Sequence, residues 1–346
     1  MIILARFDDP QGRGQASDAV IVLSSFSKMT YRLSPHCDLD AAEQRWQATL
    51  ALRPDLEPAI VLQRRLLTRS QELTTIVDQE LPATLNLEPE QIADKLGRHT
   101  PILVGEPIVV DAQPVVPFVL GFCEDLSSGE AGGAAGRLGE TLARGEIDIG
   151  SLMAASLGRQ QEAIRSKAHH VGVAPDLLWL VSELACGPVA YRLQRQLLTD
   201  LPKQEDKLRL VIDTWNHGFC AACGSWPAFG ERIKPTTRRS LRCSFCGSAW
   251  TPRLRHCIYC DKTGASLTTV AVEPEQPSRH LELCRQCGGY LKCIPVRRPT
   301  AFGLLPVEDL STCDLDVSAV EQGYIRPAMH TFVTGANLPC PPPVVT

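Results

Sequence analysis

Four Cys-x-x-Cys pairs lie within 68 residues of this 346-residue chain. They use eight of its 14 cysteines, always with the same two-residue gap. One tight turn can then direct two sulfurs at a single tetrahedral metal ion, and two such turns complete a four-thiolate site. Four pairs therefore predict two metal sites with no thiol left over. The eight predicted ligands are Cys220, Cys223, Cys243, Cys246, Cys257, Cys260, Cys284 and Cys287.

The residue after each pair supports the same kind of turn. Gly224, Gly247 and Gly288 follow three of the pairs, and Asp261 follows the remaining one. A metal-binding turn (a knuckle) needs a positive φ just past its second thiolate. Glycine adopts that conformation without steric cost, and aspartate tolerates it better than most residues.

The four pairs can combine in two ways. Sequential pairing gives C-x2-C-x19-C-x2-C followed by C-x2-C-x23-C-x2-C, which predicts two ribbon-like modules in tandem. Interleaved pairing, first with third and second with fourth, would give a cross-braced module. We favour sequential pairing, because each half then contains a segment long enough for a hairpin, and only ten residues separate Cys246 from Cys257.

Two other uses of the cysteines are less favoured. A thioredoxin-type redox pair needs a strand-to-helix context and usually occurs once. A disulfide framework needs an oxidising compartment, whereas the opening residues, MIILARFDDP, do not form a signal peptide. We therefore expect a cytoplasmic protein with reduced thiols. Its predicted cofactors are two metal ions, each in a tetrahedral four-cysteine site and either iron (rubredoxin-type) or zinc, since four thiolates accept both.

The N-terminal half is predicted to be mostly helical. Between residues 37 and 200, apolar residues recur at three- and four-residue spacing; one such set is Ile60, Leu62, Leu66, Leu67, Leu73 and Ile76. Such a set of helices packs as an irregular all-α domain. The predicted helices span residues 41–52, 60–79, 88–96, 115–126, 134–144, 149–169 and 176–198.

The predicted domains follow from these patterns. They are an extension at 1–36 that is poorly ordered, an α-helical domain at 37–212, a first ribbon-like metal module at 213–253, a second with a closing helix at 254–332, and a disordered Pro-rich tail at 333–346. No run of 18 apolar residues predicts a membrane span. No phosphate-binding glycine loop, nucleophile elbow or HExxH helix is present, so we predict no catalytic or cofactor-binding residues and no enzyme.

Charge is distributed unevenly along the chain. Residues 220–299 carry a net +8 and the rest −12, which together give the overall −4. A positive module on a negative body could hold an acidic partner or a nucleic acid. However, each four-thiolate site with a divalent ion is itself negative, and the arginines and lysines nearby can simply neutralise it.

Four stretches of the metal half carry a family resemblance: FCAACGSWP at 219–227, LRCSFCGSAW at 241–250, HCIYC at 256–260 and LCRQCGGYLK at 283–292. They resemble the formate dehydrogenase accessory protein FdhE family. The segments VEDLSTCDLD at 307–316 and EQGY at 321–324 are similar to that family's closing segment. The similarity is densest over residues 217–326.

The resemblance implies a fold and a function. The fold would be a helical N-terminal domain followed by two rubredoxin-like modules, with the eight cysteines as ligands. The function would be that of a cytoplasmic, non-catalytic helper that binds the catalytic subunit of a respiratory formate dehydrogenase and assists its assembly before export. One departure is visible: the family commonly has Asp-Asp and then His at the last pair, where this chain has Arg285-Gln286 and Gly288.

Two alternatives remain open beside the helper function. A rubredoxin-like protein could act in redox or sulfur chemistry. A zinc-ribbon protein could bind nucleic acid through its basic residues, although these are dispersed and few aromatics lie between them. A homodimer is also left open. The basic residues concerned are Arg238, Arg239, Arg253, Arg255, Arg297 and Arg298.

Overall fold

The computed structural model describes residues 38–129, 132–233, 239–252, 256–272 and 279–327. All of these residues belong to one compact unit. The predicted extension at 1–36 and the predicted tail at 333–346 lie outside the described residues. The domain boundaries proposed from the sequence stay predictions.

Nine α-helices precede the main sheet in the described part of the chain. The predicted helical character of this half is confirmed. None of the helices described is both long and apolar enough to cross a membrane. The helices are α1 (Leu39–Leu52), α2 (Glu57–Gln79), α3 (Pro89–Gly97), α4 (Val116–Ser127), α5 (Gly132–Ala143), α6 (Ile149–Leu157), α7 (Gln161–Val171), α8 (Pro175–Arg195) and α9 (Asp206–Thr214).

One predicted helix is wrong. The segment 149–169, expected to be continuous, is two helices, α6 and α7. Arg159 lies between them with a positive φ of 57°, which no right-handed helix accommodates. Its side chain donates to Glu183 at 2.7 Å, so a contact with α8 accompanies the break.

Local side-chain chemistry explains several helix starts. Asp38 accepts a hydrogen bond from the backbone N–H of Ala41, and Asp148 accepts one from Ser151, so each carboxylate caps the N–H groups at a helix N-terminus. Proline occupies the first turn of α2, α3, α4 and α8, where its missing N–H costs nothing.

Helix α8 forms the centre of the helical region. It contacts α2, α4, α6 and α7. Leu178, Val181, Ala185 and Val189, which recur every three or four residues, are fully buried. The helical core that results also includes the first four predicted cysteine ligands, so the metal region and the helices share one apolar interior.

A six-stranded sheet carries both cysteine-rich modules. Its strand order is β5-β4-β3-β8-β7-β6. Every pairing is antiparallel except β3–β8, which is parallel and pairs Gly230 with Cys293. This seam joins the two modules, each of which contributes three strands. The strands of this sheet are β3 (Pro227–Ile233), β4 (Arg239–Cys243), β5 (Ala249–Trp250), β6 (Leu267–Ala271), β7 (His280–Cys284) and β8 (Tyr290–Val296). A separate two-stranded ribbon in the helical half pairs β1 (Ala83–Thr84) with β2 (Val109–Val110).

Different elements pack against the two faces of the sheet. One face packs against two closing helices, α10 (Leu305–Ser311) and α11 (Cys313–Glu321), through an apolar cluster that includes Leu281, Leu283 and Leu315. On the other face, Leu241, Leu291 and Cys293 pack with Ile258 of the third knuckle. The predicted fold class, a helical N-terminal region followed by small β modules with two four-cysteine clusters, is confirmed.

Candidate metal centres

The eight cysteines of the four pairs lie in two groups of four. The first group is Cys220, Cys223, Cys243 and Cys246, and the second is Cys257, Cys260, Cys284 and Cys287. Within each group the four sulfurs lie within 4.8 Å of one another. This is the sequential combination favoured from the spacing. The assignment of these cysteines as ligands stays a proposal, which their geometry supports as follows.

All four knuckles share one hydrogen-bond pattern. The residue after the second cysteine donates its N–H to the carbonyl of the first cysteine, at 2.8 to 3.0 Å in each case. The first cysteine in turn donates its N–H to a carbonyl five residues ahead, again in every knuckle. The residues at the turning point have φ between 57° and 79°, as predicted: Gly224, Gly247, Asp261 and Gly288.

The separations between sulfurs fit a tetrahedral ion. Cys220 and Cys246 have sulfurs 3.5 Å apart, and in the second group Cys257 and Cys287 are 3.6 Å apart. A metal–sulfur bond of ~2.3 Å in a regular tetrahedron places its sulfurs ~3.8 Å apart. A disulfide would need ~2.05 Å, and no described cysteine is joined in one. Four thiolates at this spacing suit Zn²⁺ or iron equally.

The first group is enclosed by the helical region. All four of its cysteines are fully buried. The N–H groups of Ile102 and Leu103 donate to the carbonyls of Ala221 and Ala222, both at 2.9 Å, so the loop after α3 binds the first knuckle directly. On another side, the guanidinium of Arg159 lies 4.3 Å from the centre of the Phe245 ring, in the second knuckle.

The second group lies closer to the surface. Cys260 is partly exposed, unlike any cysteine of the first group. Arg285 and Gln286, between the last two cysteines, are exposed, as is Asp261 after the third pair. The apolar cluster around the second group consists of its own cysteines with Tyr259 and Leu267, and this cluster is separate from the helical core. The two centres therefore share geometry but differ in access to solvent.

Two isolated cysteines in the helical region have a different character. Cys123 and Cys186 are buried. Burial raises the pKa of Cys123 to about 11 and that of Cys186 to about 12. Both thiols are therefore protonated at neutral pH, and they act as small apolar residues.

The aromatic residues near the knuckles point into the protein. The indole N–H of Trp215 donates to the carbonyl of Phe219 at 2.9 Å, and that of Trp250 donates to the carbonyl of His217 at 2.8 Å. The hydroxyl of Tyr259 donates to the carbonyl of Tyr290 at 2.9 Å. These contacts support internal packing of the aromatic side chains over a role in contacting a partner.

Much of the positive charge of the metal half is matched internally. Arg242 is fully buried and contacts both carboxylate oxygens of the equally buried Glu231, at 3.0 and 3.1 Å. Lys292 is also fully buried and donates to Asp316 at 2.7 Å. Three further arginines of this half lie in ion pairs with carboxylates: Arg232, Arg239 and Arg279.

A cleft of about 460 Å³ opens between the helical region and the third knuckle. His99, His217, His256 and Asp261 are among the residues that line it. Nδ1 of His99 and Nε2 of His217 lie 2.9 Å apart, so one ring donates a hydrogen bond to the other. Burial, together with the charge of His99, lowers the pKa of His217, which favours its neutral form.

Comparison with known proteins gives matches in sequence and in fold. No model of a known protein family matches the chain. A curated FdhE homolog from Aquifex aeolicus is 27% identical over 124 residues, which are 35% of this chain and 44% of that protein. The curated FdhE of Escherichia coli O127:H6 is 29% identical over 117 residues, 33% of this chain and 37% of its own length. The matched region thus spans less than half of either relative.

The fold match covers more of the molecule. The crystal structure of the FdhE protein from Pseudomonas aeruginosa superposes with a TM-score of 0.52 over 85% of this chain and 95% of that one, at 23% identity. Fold and site together define a protein in which a helical region is followed by a β-sheet that holds two four-cysteine groups. With the sequence matches to two curated relatives, the resemblance stated from the sequence is confirmed: the chain is similar to FdhE proteins in sequence over about a third of its length and in fold.

Proposed function

We propose that this protein is a non-catalytic accessory protein that binds the catalytic subunit of a respiratory formate dehydrogenase in the cytoplasm and assists its assembly before export. Two four-cysteine centres in a sheet packed against a helical region, in a chain similar to FdhE proteins, carry this proposal. The cysteine sites would hold two ions, either iron or zinc. No step of the helper function needs chemistry at them.

Rigidity is what the metal centres would contribute. The knuckles and strands of the two modules span only residues 220–250 and 257–296, too few residues for a large core, and a four-thiolate ion holds such a module in one shape. A rigid surface that binds one conformation of an unfinished partner raises the population of that conformation by mass action. The protein would thereby keep the partner open until its cofactor is in place.

The position of the second centre supports a partner-facing role for that end of the molecule. The first centre is enclosed by helices, whereas Arg285 and Gln286 of the fourth knuckle are exposed to solvent. Their charge differs from the Asp-Asp common in the family. We infer that the partner of this chain is matched to the altered charge at that position.

Co-elution tests the proposal. The purified chain, metal-loaded or metal-free, is mixed with the formate dehydrogenase catalytic subunit and run on a sizing column. We expect a complex with the loaded form. Cys243→Ser should weaken it by disrupting the first centre, whereas Cys186→Ser, at an isolated buried cysteine, should not. Absence of a complex in both metal states would contradict the helper function.

The internal pairing of charge argues against the nucleic-acid alternative. Arg239, one of the basic residues on which that alternative depends, is buried against Glu282. Arg238, Arg253 and Arg255 lie outside the described residues. A titration with arbitrary DNA at low and high salt separates the two functions, because phosphate contacts weaken steeply as salt rises.

A further inference from the structure

A third cluster of metal-ligand side chains lies within the sheet, apart from the two cysteine groups. His280, Glu282 and Cys293 place one ligand atom each within 4.8 Å of the others. All three side chains are buried. The sequence did not predict this cluster, because its members belong to no spaced motif and only strand pairing brings them together.

Sheet register explains the convergence of the three side chains. His280 on β7 pairs directly with Cys293 on β8, so their side chains lie on the same face. Glu282 is two residues further along β7 and shares that face. On the neighbouring strand β3, Gly230 pairs with Cys293, and a Cβ there would lie 3.0 Å from the Cys293 sulfur. Glycine at this position leaves the sulfur room.

One oxygen of the Glu282 carboxylate is held by a neighbouring arginine, and the other is left for a metal ion. Its Oε2 accepts a hydrogen bond from Nη1 of Arg239, whose Nη2 donates to the carbonyl of His256 at 3.0 Å. Its Oε1 is buried and accepts no hydrogen bond from the described residues, and Nη2 of Arg232 lies 3.7 Å from it. Metal-binding carboxylates are commonly held in this way, with one oxygen fixed by an outer partner.

We propose that His280, Glu282 and Cys293 form a third metal site, which takes a divalent zinc-like cation. An imidazole, a thiolate and a carboxylate are a ligand set that Zn²⁺ accepts, with a fourth position left for water. One thiolate and one carboxylate together neutralise a divalent ion, and Arg239 supports the carboxylate from behind. The site would clamp β7 to β8, next to the seam between the two modules.

Counting bound ions tests this site. The full-length chain is stripped of metal, kept reduced, given Zn²⁺ alone and analysed by native mass spectrometry. The wild-type protein should bind three ions. Cys293→Val, which removes a ligand while keeping most of the volume, should bind two. Cys186→Val, at an equally buried cysteine outside all three groups, should still bind three.

The count in the wild-type protein decides the matter even if a variant fails to fold. If the wild-type protein saturates at two ions, the third site does not exist. The proposal also fails if the Cys293→Val protein still binds three ions. His280→Gln provides a second removal of a ligand and should also lower the count from three to two. Failure here would leave the proposed helper function untouched, because that function depends on the cysteine groups alone.

Discussion

The backbone conformation of each knuckle depends on the single residue at its turning point. Four residues with positive φ follow the four cysteine pairs, and three of them are glycines. Their surroundings differ, however. A Cβ at Gly247 would lie 2.7 Å from Phe302 and 2.8 Å from Tyr191, whereas a Cβ at Gly288 would meet nothing within 4 Å. Gly247 is therefore required for both conformation and packing.

Alanine substitution at these two glycines should separate the two requirements. Gly288→Ala adds only the strain of a left-handed alanine, about 1 kcal/mol. Gly247→Ala adds the same strain and also overpacks two aromatic rings, which should cost about 1–3 kcal/mol more. Denaturant unfolding of the metal-loaded proteins measures both. Equal losses of stability in the two variants would show that the contact with Tyr191 and Phe302 does not constrain the knuckle.

At the scale of elements, buried charges attach the closing helices to the sheet. Lys292 on β8 is fully buried and donates to Asp316 on α11 at 2.7 Å and to the backbone carbonyl of Asp309 on α10 at 2.8 Å. Arg326 also reaches Asp316 at 2.7 Å. Lys292 and Arg326 hold the pKa of Asp309 below its usual value, even though burial acts to raise it. One lysine thus connects a strand to two helices.

Replacing this lysine should loosen the closing helices. Lys292→Met leaves two carboxylates without their buried cation, which we expect to cost about 2–3 kcal/mol, since the carboxylates keep some contact with solvent. Lys262→Met, at an exposed lysine in the second module, serves as the matched control. Hydrogen exchange of α10 and α11 is the measurement. Unchanged protection in Lys292→Met would contradict a tethering role.

At the scale of the whole molecule, the two cysteine centres are unequal. The first is buried in the helical core, and reaching its sulfurs requires the helices to separate. The second has a partly exposed cysteine and a small apolar cluster of its own. Opening of a surface module costs less free energy than opening of a shared core. The second centre should therefore exchange its metal first.

Chelator treatment with thiol labelling should reveal this order. A loaded protein mixed with a chelator and an alkylating reagent should first become labelled at Cys257, Cys260, Cys284 and Cys287, and more slowly at the other group. Cys186, buried and bound to no metal, reports complete unfolding and should be labelled last. Peptide mass spectrometry follows each site. Equal rates at the two groups, or earlier labelling at Cys220, would contradict the inequality.

The sequence predicted what depends on local spacing. Each knuckle is set by residues within six positions, so the pairs, the glycines and the sequential grouping could all be derived. Helices with regular apolar spacing were predicted for the same reason. The break at Arg159 was not, because it accompanies contacts with distant residues such as Glu183 and Phe245. The strand pairing that brings His280 to Cys293 was also out of reach, since strand register is a nonlocal property.

The parallel seam between β3 and β8 has a consequence for synthesis. β3 is the first strand of the sheet along the chain and β8 the last, and they are neighbours. While the ribosome is still adding residues before Tyr290, β3 has one unpaired edge, and the first module cannot take its final place in the sheet. Completion of the sheet therefore waits for the synthesis of β8, and a chain that ends before β8 would expose an unpaired strand edge, which favours aggregation.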